Sequence, residues 1–96
     1  MSIWRKDKPE KMPDYTVFLT KTAQKQLDKL PDNVSDGLLN LIQSLAENPR
    51  PQGCKKLKGR NGYRVRKGDY RIIYDVIDNM LVVEVIALGH RRDIYE

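Results

Sequence analysis

A chain of 96 residues with 40% hydrophobic content is large enough for one sheet-and-helix core and too small for two. Its net charge of +5 points to an acidic partner, either nucleic acid or protein. One cysteine (Cys54) and one histidine (His90) exclude a disulfide framework and a structural zinc site, no metal or cofactor motif is present, and no apolar run reaches membrane-span length.

Residues 1–13 carry charges and prolines but lack the apolar core of a signal peptide. They read as a flexible basic leader before a single domain at 14–96, and a cytoplasmic protein is expected. Trp4 either anchors that leader to the domain or moves with it. Tyr15–Leu19 reads as a first strand, bounded by Pro13-Asp14. Thr20 is a helix N-cap, and Ala23, Leu27 and Leu30 follow at helical spacing. Pro31 breaks or restarts the helix. A second helix is predicted from Asp32 to Glu47, with Val34, Leu38, Leu41, Ile42 and Leu45 along one stripe and Asn48-Pro49 ending it.

The linker from Pro49 to Gly62 holds Lys55, Lys56, Lys58 and Arg60. It is either a solvated loop with a short strand at Lys56–Lys58, or an electropositive rim that grips a phosphate backbone without reading bases. Tyr63–Lys67 then alternates apolar and basic as a half-buried strand does. Gly68-Asp69 makes a two-residue hairpin loop, and Tyr70–Ile77 returns. In that register Arg66 lies directly opposite Arg71, on the face that also carries Arg64. Like charges placed opposite one another are destabilising, so a fold that holds them there has an anion to hold. Asp78-Asn79 reads as a second turn, with Ile77 paired to Met80 and Ile86 across from Arg71. The strand then runs to Leu88, which falls just past Arg71 on the basic face. The chain leaves the sheet at Gly89 and presents His90, Arg91 and Arg92 at the same end. Asp75 and Glu84 are the only acids this register places near the basic face.

The opposite face (Tyr63, Val65, Ile72, Tyr74, Val76, Leu81, Val83 and Val85) matches the apolar stripes of the two helices. The expected fold is therefore α+β, in the order β-α-α-β-β-β, with a helical hairpin packed on one face of a small, mostly antiparallel sheet.

Three stretches, Lys56–Gly59, Gly62–Tyr74 and Gly89–Tyr95, resemble the RelE branch of the RelE/ParE toxin superfamily. The resemblance spans Tyr15 to Tyr95, and its most specific parts are Tyr70-Arg71-Ile72-Ile73-Tyr74 and His90-Arg91-Arg92-Asp93-Ile94-Tyr95. It implies a toxin that cuts messenger RNA at the ribosomal decoding site. It also implies a cognate antitoxin protein, with operator DNA bound by the complex. The family's strand residues fall on Arg64 and Arg66, its transition-state arginine on Arg71, its second essential arginine on Arg91 and its C-terminal tyrosine on Tyr95. Arg64 and Arg66 depart from the lysines of the best-known members. Arginine stays protonated and clamps phosphate but is a poor base, which leaves the general base open. Tyr95 would stack on a base or donate a hydrogen bond. His90, the residue type that titrates near neutrality, is a candidate acid or base whose more common role is structural. The chemistry implied is metal-independent attack of a 2′-hydroxyl on the adjacent phosphate. Two other readings stand beside it: a ParE-like inhibitor of DNA gyrase, and a non-catalytic nucleic-acid-binding module.

Overall fold

The computed structural model of the chain describes residues 14–94. Its elements are β1 (Thr16–Leu19), α1 (Lys21–Asp28), α2 (Asp32–Ser44), β2 (Lys55–Lys56), β3 (Gly62–Lys67), β4 (Tyr70–Ile77) and β5 (Val82–His90). The strands form one five-stranded sheet in the order β1-β5-β4-β3-β2. All neighbours are antiparallel except β1 and β5, which run parallel: the helical hairpin carries the chain from β1 at one edge to β2 at the other, and β3, β4 and β5 return antiparallel until β5 lies beside β1. This is the expected α+β architecture, with α1 and α2 on one face. Residues 1–13, Trp4 among them, and the C-terminal pair at 95–96 lie outside the described residues.

The start of α1 is capped as its sequence demands. Thr20 Oγ1 accepts the Ala23 N–H at 3.1 Å, and the same hydroxyl donates to the Ile86 carbonyl at 2.9 Å. Pro31 restarts the helix rather than ending the bundle, its carbonyl accepting the N–H groups of Val34 and Ser35. α2 stops at Ser44, three residues before the expected Glu47. The tail tightens to three-residue bonds, Leu45 N–H to Ile42 O and Ala46 N–H to Gln43 O, and the Ser44 hydroxyl turns back to the Leu41 carbonyl.

The core lies between the helices and one sheet face. Ala23, Leu27, Leu38, Ile42 and Leu45 meet Val65, Ile72, Tyr74, Val76, Val83, Val85 and Leu88 there. Tyr74 is fully buried, and its hydroxyl donates to the Pro49 carbonyl at 2.7 Å, so the polar tip of a large core side chain is satisfied.

The first hairpin has the expected register, Lys67 opposite Tyr70 and Arg66 opposite Arg71, with Gly68 at φ +60° in the turn. The second hairpin does not. Asp78–Met80 forms a single 3₁₀ turn, Leu81 takes the left-handed conformation at φ +55°, and Ile77 pairs with Val82 instead of Met80. Leu81 therefore sits in the connection and not on the strand's apolar face. A bulge follows: Tyr74 pairs with Val85 but Ile73 pairs with Ala87, leaving Ile86 as the extra residue. Beyond it the alternation inverts. Leu88, expected on the basic face, is opposite Ile72 and fully buried, and Gly89 takes the place opposite Arg71 that Ile86 was expected to fill.

The bulge sits where β5 outruns β1. Leu19 is the last β1 residue to pair, with Val85, and α1 then covers the bared edge. Its polar side chains complete the ladder, Thr20 at the Ile86 carbonyl and Gln26 Oε1 accepting the Leu88 N–H at 2.8 Å.

At the end of the sheet remote from the Gly68 turn, a charged network ties three connections together. Arg50 donates two bonds to Asp78, at 2.8 and 3.2 Å, and one from Nε to the Tyr63 hydroxyl at 2.9 Å. Tyr15 donates its hydroxyl to Asp78 at 2.6 Å. The Arg50 guanidinium and the Tyr15 hydroxyl hold the Asp78 carboxyl below the usual carboxylate range. A folded-state pKa lowered in this way adds stability above the unfolded value near 3.9, and that stability is lost as the pH falls through the folded value. The gap in melting temperature between the wild type and Asp78→Asn should therefore be widest near neutrality and close on acidification below about pH 4. A gap that persists unchanged at pH 2–3 would show that the carboxylate's charge is not what holds the network.

Candidate functional site

The site begins with the alternation of β3 and β4. Val65 and Ile72 turn into the core, so Arg64, Arg66 and Arg71 must turn to the other face. Arg66 and Arg71 are cross-strand partners, and Arg64 lies beside them opposite Ile73. Arg64 and Arg71 are half-buried, with buried Nε atoms, whereas Arg66 is exposed. Three guanidinium groups thus share one end of an open sheet face. Arg71 Nη1 donates to the Ile94 carbonyl at 3.1 Å, so the returning C-terminal segment lies against it.

Arg91 reaches the same end. Its backbone N–H donates to the Asp69 carbonyl in the hairpin turn at 2.7 Å. Its Nε is 3.9 Å from the Asp69 carboxylate, with both side chains mostly exposed, so that ion pair contributes little and leaves the guanidinium available. Asp69 is thus a third acid near the basic end, beside the two expected ones. Asp75 receives Arg60 at 3.0 Å and lies opposite Glu84.

His90 departs from the expected cluster. β5 runs two residues further than expected, to His90, so His90 pairs with Tyr70 and shares its face, the helix side. The rings meet edge to face at 5.5 Å, and His90 Nδ1 accepts the Arg92 N–H at 3.2 Å. The sheet separates this imidazole from Arg64, Arg66 and Arg71. Tyr95, expected in the site, lies outside the described residues, next in the chain to Ile94.

The basic linker is split by its own short strand. Lys55 pairs with Arg64 and so shares the arginine face. Lys56 pairs with Tyr63 on the helix side, its Nζ 5.6 Å from the ring centroid and donating to the Arg60 carbonyl at 2.8 Å. Lys58 and Arg60 are exposed in the turn that follows. Of the expected rim, Lys55 alone extends the arginine face by register. The residue that the sequence reading overlooked is Ile94. The signal for it was present, a single apolar side chain directly after Arg91-Arg92-Asp93.

Among the described residues no group of three or more histidine, cysteine, aspartate or glutamate side chains is placed to hold a metal ion. No described helix is long and apolar enough to cross a membrane. What the arrangement offers is a preorganised cluster of cations on a rigid sheet, suited to a polyanionic ligand.

A helical hairpin over a mostly antiparallel sheet, with cations gathered at one end of one face, is an architecture this chain shares with solved toxins of toxin–antitoxin systems. Residues 17–95 match the family model described as the ParE toxin of the type II toxin–antitoxin system parDE. The chain is 31% identical over 83 residues to Toxin RelG of Mycobacterium tuberculosis, covering 84% of this chain and 95% of that one. It is 34% identical over 81 residues to the mRNA interferase toxin RelE of Escherichia coli K12, covering 81% and 84%. Among solved structures it is similar to the toxin–antitoxin complex RelBE2 from Mycobacterium tuberculosis, with a TM-score of 0.75 and 30% identity over 84% of this chain and 95% of that chain. The chain belongs to the RelE family of the RelE/ParE superfamily of type II toxins.

Proposed function

We propose that this toxin is a cytoplasmic endoribonuclease that cuts messenger RNA on the ribosome and thereby stops translation. The observation that carries the reading is the cross-strand pair Arg66 and Arg71, with Arg64 beside it, on a face that the core does not need. The relatives add weight, since one is named an mRNA interferase at 34% identity.

In this reading the message's own 2′-hydroxyl attacks the adjacent phosphate. The new O–P bond forms as the bond to the 5′-oxygen breaks, leaving a cyclic phosphate and a free 5′-hydroxyl. Negative charge grows on the phosphorane oxygens, where Arg71 and Arg91 stabilise it. Arg64 and Arg66 hold the backbone in line, and Lys55, Lys58 and Arg60 add sequence-independent grip. Tyr95 would contribute stacking on a base or a hydrogen bond, the role that the resemblance implies. With His90 on the helix side, the sheet supplies charge rather than a strong base, and orientation of the message by the ribosome carries more of the acceleration.

A cognate antitoxin is the protein partner, as in the solved RelE–RelB complexes of relatives, and the complex would bind its operator DNA. An amphipathic segment with acidic residues fits the outer face, where Phe18 is 53% exposed and Ile86 half-buried on the same side as the arginines.

The description of the matching family as a ParE toxin keeps one other reading in view, a gyrase poison without nuclease chemistry. Purified protein is added to ribosomes programmed with a message, to the naked message, and to a gyrase supercoiling reaction. Cleavage on the ribosome, with naked message intact and supercoiling unaffected, is the expected result. Intact message with blocked supercoiling would replace the nuclease with the gyrase reading.

A further inference from the structure

We propose that Ile94 is a positioning residue for Arg71, an apolar peg whose seating on the open sheet face sets the direction of the guanidinium; this rests on the reading of Arg71 as the principal charge stabiliser. After β5 the chain turns back on itself, the Asp93 N–H donating to the His90 carbonyl at 2.8 Å. Arg91, Arg92 and Asp93 are exposed, but Ile94 is only 7% exposed and packs with Leu57 and Ile73 in a small apolar cluster of its own, flanked by Ile86 and Ala87. That cluster lies on the arginine side of the sheet, apart from the main core.

The seat exists because position 89 has no side chain. Gly89 is the β5 partner of Arg71, and a Cβ there would lie 3.1 Å from Ile94 Cγ1 and 3.3 Å from Cδ1. Its φ of +155° also suits glycine and strains other residues. With Ile94 seated, its carbonyl accepts from Arg71 Nη1 at 3.1 Å. A long, flexible side chain is thereby held at one amino group against the sheet face. Preorganisation of this kind is what makes a cation effective against charge that develops during reaction. Leu57, in the same cluster, follows Lys55 and Lys56 directly, so the peg also ties the basic linker to the arginine site.

The test is a double-mutant cycle on ribosome-bound message. Ile94→Ala is expected to lower kcat on the order of tenfold, since a misplacement of about 1 Å can cost up to about 100-fold. KM should stay close to that of the wild type, and the thermal melt should fall, as for any buried Ile→Ala change, while the protein stays folded at the assay temperature. Ile94→Val, which keeps the branched body of the peg, should restore most of the activity. In an Arg71→Ala background the same Ile94→Ala change should add no further loss. Equal losses in both backgrounds, or full kcat in a folded Ile94→Ala protein, would overturn the proposal. Should Ile94→Ala fail to fold, Ile94→Thr supplies the comparison with the same branched shape and a hydroxyl that seats poorly. If the wild type itself cuts no message, the nuclease reading fails separately. The positioning is then read from the Arg71 guanidinium proton signals of the free protein. Slowly exchanging signals in the wild type and Ile94→Val, averaged in Ile94→Ala, are expected. Signals that survive unchanged in Ile94→Ala would refute the peg.

Discussion

Replacing Arg71 with alanine is expected to slow message cleavage about 10²–10³-fold and to leave the domain folded. The size follows from what is removed, a fixed cation aimed at charge that appears only in the transition state. In water such a charge would be screened, but Arg71 is half-buried on a rigid strand and tied to the Ile94 carbonyl at 3.1 Å. The fold should survive because Arg71 lies outside the main core and faces Arg66 across the strands, so its removal relieves a like-charge contact. Arg71→Lys retains the charge but loses the planar fork, and should recover only part of the rate. The checks are single-turnover cleavage on ribosomes and a thermal melt of the same preparations. A folded Arg71→Ala protein with wild-type rate would remove this residue from the mechanism. Arg91→Ala is expected to follow the same direction, by loss of the second stabilising charge.

Leu88→Ala should destabilise the domain by about 2–5 kcal/mol, a large share of the roughly 5–15 kcal/mol that holds a domain of this kind together. Leu88 is fully buried between the sheet and α1, and its backbone N–H is held by Gln26, so the site has little room to collapse around the lost methyl groups. Ile86→Ala provides the internal control. Ile86 is half-buried on the outer side of the bulge and should cost markedly less. Chemical denaturation of the two variants reads the bulge directly. In an unbulged strand Ile86 and Leu88 would both lie on the open face and their costs would be similar. Equal, small losses would mean that the alternation does not invert at Ile86.

That inversion also marks the limit of what the sequence made legible. The first hairpin is written in local chemistry: a glycine that supplies a positive φ, alternating residues on both sides, and a two-residue loop that leaves one register open. Arg66 and Arg71 were expected to face one another, and they do. The second hairpin depends on Leu81 adopting a left-handed conformation that leucine rarely takes, with Met80 drawn into the turn. That moves the pairing by two residues and leaves every side chain on its expected face. The bulge at Ile86 then moves it by one more, and a one-residue shift exchanges the faces. Leu88 therefore entered the core, Gly89 came to lie opposite Arg71, and His90 went to the helix side. No local propensity announces the bulge. It coincides with the end of β1 at Leu19, where the side chains of Thr20 and Gln26 take over the edge of β5. The helices were legible from their stripes and caps. The early end of α2 was not, because a carbonyl bond from Ser44 and a tightened last turn leave no mark in the hydrophobic pattern.

The central claim, that this cation cluster cuts messenger RNA as the ribosome reads it, is tested most directly by mapping new 5′ ends on a defined message in a translating extract. Wild-type protein should yield cuts in register with the reading frame, each carrying a 5′-hydroxyl, and Arg71→Ala should yield almost none. Intact message in the presence of folded, wild-type toxin, or cuts that ignore the reading frame and persist in Arg71→Ala, would contradict it.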